Sequence, residues 1–280
     1  MKPFFRYILI TLFLLPAFGA GAQILVTGGG EPMAADSVKR DFSNQPYFGL
    51  YKDNYFIFGP TIGEKITRSN TNVKFQISIS QRLTRSTLPW GTYLYLFYTQ
   101  KCFWNVLENS LPMTDLNFNP GIGITKPLFV KNRYIGKLTF LVEHESNGRD
   151  SIQSRSWNRV ALAGHVLVTK NLMVHAKIWA PIVDGQNNKD IVRYCGFSQF
   201  GFQVISDNRR FSGGITIVPR HRFGSCNTIV DLSYRIFKRD NQFLFLQYYN
   251  GFGEGLLEYN KFHSQLRIGL LIKPKLFSDF

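Results

Sequence analysis

The sequence predicts one antiparallel transmembrane β-barrel of about twelve strands, an all-β fold, and three observations carry that expectation. Beyond the N-terminal segment no apolar run approaches the ~20 residues that a membrane-crossing helix needs, so strands must do the crossing. Apolar residues recur at every second position, as in Val73, Phe75, Ile77 and Ile79 against Lys74, Gln76, Ser78 and Ser80, which gives a strand one greasy and one polar face. Tight turns also alternate with longer polar connections, the pattern of a barrel with short periplasmic turns and long external loops.

Taken in order, the chain opens with Lys2 and Arg6 ahead of the apolar run YILITLFLLPAF, and Ala20-Gly21-Ala22 before Gln23 has the small-x-small form of a signal-peptidase site. Residues 1–22 are therefore expected to be removed. Residues 23–280 then form a single barrel domain, with 23–50 as an N-terminal periplasmic segment. Strands are expected near 52–60, 71–83, 90–104, 118–130, 134–146, 155–169, 171–183, 193–206, 210–219, 227–238, 242–252 and 262–274. Tight turns fall at Lys131-Asn132-Arg133, Thr169-Lys170-Asn171, Ser206-Asp207-Asn208 and Arg239-Asp240-Asn241. The high aromatic content, 15% of residues, suits interfacial girdles, and Phe280 resembles the aromatic C-terminal end of outer-membrane proteins. With an even strand number both termini lie in the periplasm, so the connection after the fifth strand faces outward.

Composition narrows the partners. Loss of Lys2 and Arg6 with the first 22 residues lowers the formal net charge from +15 to +13, still strongly basic. A basic exported chain lacking a lysine-rich arm or nucleic-acid motif is matched to anionic lipid and lipopolysaccharide phosphates, not to nucleic acid. Cys102, Cys195 and Cys226 are odd in number and far apart, which makes neither a disulfide framework nor a CxxC metal site. They read as structural, with one disulfide open to them in an oxidising compartment.

One stretch departs from the pattern: EHESNGRDSIQSRSWNRV, Glu143 to Val160. Residues two apart on a strand share a face, so Glu143 and Glu145 belong to the polar interior and His144 and Ser146 face lipid. On the next strand Arg155, Trp157 and Arg159 share the interior, while Ser154, Ser156 and Asn158 share the outer face. Pairing His144 with Asn158 also pairs Ser146 with Ser156, because both sums of residue numbers are 302. Cross-strand Cβ atoms lie ~5 Å apart, close enough for the Asn158 carbonyl to hold the imidazole. Ser146, His144 and Asn158 then have the nucleophile, base and orienter of acyl transfer, and Gly148 lets backbone N–H groups approach an oxyanion. An ordinary external hairpin tip with an interfacial histidine is the competing reading of the same residues, because short motifs match by chance.

HESNGR (144–149) followed by SRSWNR (154–159) resembles the HxSNGR and SRSWNR motifs of the outer-membrane phospholipase A family, with the same spacing. Weaker likeness in VKFQISIS, FYTQK and GFGEGLLEYN extends it over most of the mature chain. The resemblance implies a twelve-stranded, calcium-dependent barrel, active as a homodimer, that hydrolyses acyl esters of phospholipids and lysophospholipids. It assigns Ser146 as nucleophile, His144 as base and Asn158 as the residue that orients it. Carried over, the calcium ligands are the Arg149 carbonyl and the Ser154 hydroxyl of one subunit, with Ser110 reaching in from the other. Residues 150–153 are DSIQ and match the family's second acidic calcium position only through Asp150. The alternative class is a non-enzymatic barrel serving as a pore or adhesion platform.

Overall fold

A computed structural model describes residues 47–84, 87–222, 224–237, 240–273 and 277. The proposed signal peptide and the terminal Phe280 lie outside the described residues. β1 (Phe48–Leu50) is a short strand laid on the periplasmic end of β3, with Leu50 opposite Ile79. The wall consists of β2 (Asn54–Pro60), β3 (Thr71–Arg82), β4 (Tyr93–Trp104), β5 (Met113–Val130), β6 (Arg133–Ser146), β7 (Ser156–Leu167), β8 (Leu172–Ile182), β9 (Ser198–Ile205), β10 (Phe211–Pro219), β11 (Cys226–Arg235), β12 (Gln242–Phe252) and β13 (Phe262–Ile272). Each strand pairs antiparallel with its sequence neighbours, and β13 closes on β2. The result is a closed twelve-stranded wall without a free edge, so its strands find hydrogen-bond partners in one another where a membrane offers none.

Alternation sorts the two faces as the sequence predicts. Ile77, Leu96, Ile122, Phe140, Val142, Leu162, Ile178, Leu244 and Leu270 stand exposed on the outer wall, where lipid replaces water as their solvent. Inside, Lys74, Ser78, Asn117, Thr139, Glu143, Lys177, Gln247 and Arg267 are buried. Lys131 and Asn132 make the two-residue β5–β6 turn with positive φ at both positions, 48° and 61°, the left-handed backbone that a twisted hairpin demands.

Three elements differ from the sequence expectation. β5 begins at Met113 because Asp115 and Asn117, polar residues that read as loop, point inward and accept the backbone N–H groups of Leu257 and Leu256. Residues 191–195 form a short helix, α1 (Ile191–Cys195), ahead of β9, so that strand starts five residues later than the alternation suggests. The 253–261 connection folds into the lumen, where Leu256 and Tyr259 pack with Leu141, Trp157, Ala161, Trp179 and Ile191. All three cysteines are free thiols.

Candidate active site

β6 and β7 pair in the register that the sequence predicts, with His144 opposite Asn158 and Ser146 opposite Ser156. The interior side of this hairpin is a buried charge network. Lys177 Nζ lies 2.6 Å and Arg159 Nε 3.5 Å from Glu143, and Arg159 Nη2 lies 3.1 Å from Glu145. Trp157 Nε1 donates to the same Glu145 carboxylate at 3.1 Å. Arg155 does not join them: it precedes β7, donates to the Ile152 and Ser154 carbonyls and lies over the Tyr259 ring. Pinning Glu143 and Glu145 from within holds the intervening His144 outward, since alternate residues cannot both turn.

On the outer face the His144 imidazole Nδ1 meets Asn158 Oδ1 at 2.9 Å. Asn158 Nδ2 donates to Asp184 Oδ2 at 2.9 Å, and the Ser156 hydroxyl donates to Asp184 Oδ1 at 3.3 Å. This settles the amide orientation. An ionised carboxylate only accepts, so the amide nitrogen must face Asp184 and the amide oxygen must face His144. Nδ1 therefore carries the imidazole proton, and Nε2 is left as the basic nitrogen. Ser146 shares this outer face two residues along β6. Its hydroxyl makes no hydrogen bond among the described residues, and a serine–imidazole contact often closes only when substrate arrives.

The loop beyond Ser146 is braced by Asn147, which is almost wholly buried. Its amide donates to the Gln153 carbonyl at 2.9 Å and accepts from the Arg149 and Arg155 N–H groups at 3.3 and 3.0 Å. Arg149 ties the loop to β5 through the Thr114 carbonyl at 2.6 Å. Gly148 has φ +63°, and a Cβ there would stand 2.9 Å from Phe118 Cε2, so both backbone and space favour glycine. The connection after β8 is stapled to the same loop: Asn188 bonds both backbone groups of Ser156, and Asn187 donates to the Ser151 carbonyl. That staple sets Asp184 beside Asn158.

Asp184 is a site residue that sequence reasoning misses: it lies 26 residues beyond Asn158, and no local motif announces it. Ser110 stands exposed with φ 68° in the 105–112 loop. Ser154 lies in the 147–155 loop just ahead of β7, half-buried. The Ser154 hydroxyl and the Arg149 carbonyl make no hydrogen bond among the described residues. No trio of His, Cys, Asp or Glu is gathered for a metal there either.

The family model of phospholipase A1 matches residues 46–272. The chain belongs to the phospholipase A1 family. It is 29% identical over 240 residues to phospholipase A1 of Proteus vulgaris, covering 79% of this chain and 78% of that one. Against phospholipase A1 of Escherichia coli K12 it is 30% identical over 212 residues, 71% and 69% of the two chains. Among solved structures it resembles outer membrane phospholipase A from Escherichia coli, with TM-score 0.72, 25% identity and coverage of 82% of this chain and 99% of that one. It also resembles a Salmonella typhi outer membrane phospholipase dimer with bound calcium, with TM-score 0.73, 24% identity and coverage of 90% and 100%. This phospholipase is thus a bacterial outer-membrane barrel.

Proposed function

We propose that this chain is a calcium-dependent phospholipase that hydrolyses acyl esters of phospholipids and lysophospholipids, of A1, A2 and lysophospholipase type, on the lipid-facing wall. The observation that carries this reading is the His144–Asn158 hydrogen bond with the amide fixed from behind by Asp184. His144 Nε2 takes the Ser146 proton as Oγ bonds to the ester carbonyl carbon. The resulting oxyanion is met by backbone N–H groups near Gly148. Collapse breaks the ester C–O bond, the imidazolium gives its proton to the departing alkoxide, and the lysophospholipid or glycerol derivative leaves. Water, deprotonated by the same nitrogen, then attacks the acyl-serine carbonyl; the acyl–Oγ bond breaks, the imidazolium returns the proton to Ser146 Oγ, and the fatty acid is released. Asn158 stabilises the imidazolium without placing a second carboxylate against lipid, where charge is costly. An alanine replacement of an asparagine in an active-site mutant of the Escherichia coli enzyme supports a catalytic asparagine.

Calcium fits this loop through oxygen donors. The Arg149 carbonyl and Ser154 hydroxyl, both uncommitted, would hold it, with Ser110 of a second copy and water completing the hard-oxygen set that calcium prefers. When bound it supplies positive charge that polarises the ester carbonyl. Dimerisation is supported by the Salmonella typhi relative, described as a dimer with calcium, and it would restrain an enzyme that lives among its own substrate. A pore or adhesion platform is disfavoured by a lumen crossed by the Lys74–Glu254–Arg267 and Glu143–Lys177–Arg159 networks. Calcium chelation is expected to abolish fatty-acid release from micellar phospholipid, and calcium to restore it. Equal rates in chelator would overturn the calcium assignment.

A further inference from the structure

Away from β6 and β7, the outer wall of β9–β13 carries a hollow of about 530 Å³. Its floor is one register row: Val204 opposite Gly213, Gly213 opposite Leu232, Leu232 opposite Leu246, and Leu246 opposite Ile268. Glycine contributes no side chain to that row, so the wall is dented where a greasy residue would otherwise stand. The next row towards the short turns is Phe211, Tyr234 and Leu244, with the Phe211 and Tyr234 rings 4.8 Å apart. Such a ring pair marks the level of the lipid head groups. Short turns lie on the periplasmic side of an outer-membrane barrel, which puts the hollow in the periplasmic leaflet.

A cation stands beside the Tyr234 end of this hollow. Arg210 Nη1 donates to the Tyr234 hydroxyl at 3.2 Å, which draws the guanidinium to the lipid-facing rim. Arg209 is adjacent, and the nearby Asp207 is already paired with Lys170 at 3.0 Å. No carboxylate among the described residues neutralises Arg210. An open apolar hollow, an aromatic collar and a guanidinium fork that no carboxylate among the described residues pairs together match one ligand chemistry, since the fork is shaped for phosphate oxygens.

We propose that this hollow is a binding site for an anionic phospholipid of the periplasmic leaflet, with its phosphate on Arg210 and the Tyr234 hydroxyl and one acyl chain lying over Gly213. The site is separate from the hydrolytic hairpin and does not depend on the catalytic reading. The test is native mass spectrometry of the full barrel released from micelles. The micelles carry equimolar ether-linked phosphatidylglycerol and phosphatidylcholine of identical chains, which esterases cannot consume. Phosphatidylglycerol is expected to be retained over phosphatidylcholine by about fivefold, the effect of one basic group near an anionic lipid surface. R210A and Y234F should erase that preference, and G213L should lower retention of both lipids; gel heat-modifiability checks that each variant is folded, and Y234F keeps the packing should G213L fail to assemble. Equal retention of the two lipids by the native chain overturns the proposal, as does a preference that R210A and Y234F leave intact, which would mean an ordinary lipid annulus only.

Discussion

Asp184 provides the sharpest prediction about the hydrolytic hairpin, because its role reaches the reaction only through Asn158. Its carboxylate accepts from Asn158 Nδ2 at 2.9 Å, and without it the amide can turn over and offer N–H to His144. The imidazole would then settle with its proton on Nε2, the nitrogen proposed to act as base. A hydrogen bond to a charged acceptor is worth ~1.5–3 kcal/mol when shielded. Asp184 is exposed to solvent, which reduces this to about 1 kcal/mol. Asp184→Ala should therefore lower kcat about fivefold with KM little changed. Asn158→Ala removes the acceptor itself and should cost roughly 10- to 100-fold, matching the full charged hydrogen bond. The double variant should be no slower than Asn158→Ala alone, since Asp184 has nothing left to orient. The assay is fatty-acid release from micellar phospholipid at saturating calcium, with a calcium titration of each variant to separate metal affinity from turnover. A wild-type rate for Asp184→Ala, or a double variant showing the product of both single losses, would refute the reasoning.

Other expectations follow from the same geometry. Gly148→Ala forces a β-carbon against Phe118 at a positive φ, a strain of ~1–2 kcal/mol; activity should fall with little change in thermal unfolding of the barrel. Asn147→Ala removes three bonds that hold the 147–155 loop, and the calcium concentration for half-maximal activity should rise severalfold. Glu254, in the connection after β12, stands between Lys74 and Arg267 at 3.1 and 2.7 Å. Burial opposes its ionisation, but Arg267 and Lys74 outweigh burial and bring its carboxyl down from the ordinary 4.5 to about 2. Because the folded value is the lower one, its contribution is present above about pH 4.5 and is lost as pH falls towards 2. Glu254→Gln, which strands two buried cations, should destabilise the barrel by about 3 kcal/mol in urea unfolding at neutral pH. The variant should also lack that part of the acid dependence; an unchanged acid limb would show that Glu254 is not its source.

Much of this molecule was legible because a barrel wall writes itself into the sequence at period two. The greasy face of β3 and the sum rule that pairs His144 with Asn158 needed only parity and a hairpin. The two glutamates of the motif could be assigned inward because two successive outward carboxylates in lipid would be costly. What stayed hidden depends on distant parts of the chain. Asp115 and Asn117 read as loop until the 253–261 connection enters the lumen and supplies N–H donors for them. Residues 193–195 read as the start of a strand until α1 is seen to bury Ile191 in the cluster of Trp157 and Trp179. Asp184 carries no motif of its own, and Asn187 and Asn188 bring it to the hairpin through backbone bonds that no spacing rule predicts. Arg155 shows the limit of parity: it lies one residue ahead of the ladder, where alternation no longer fixes direction.

The central claim is that Ser146 on the lipid-facing wall is the nucleophile served by His144. It is tested most directly by calcium-dependent release of fatty acid from phospholipid by Ser146→Ala beside the native barrel, with both shown to be folded and with their oligomeric states recorded. The account predicts loss of essentially all calcium-dependent turnover while the folded, heat-modifiable barrel remains. Native rates in Ser146→Ala would contradict it.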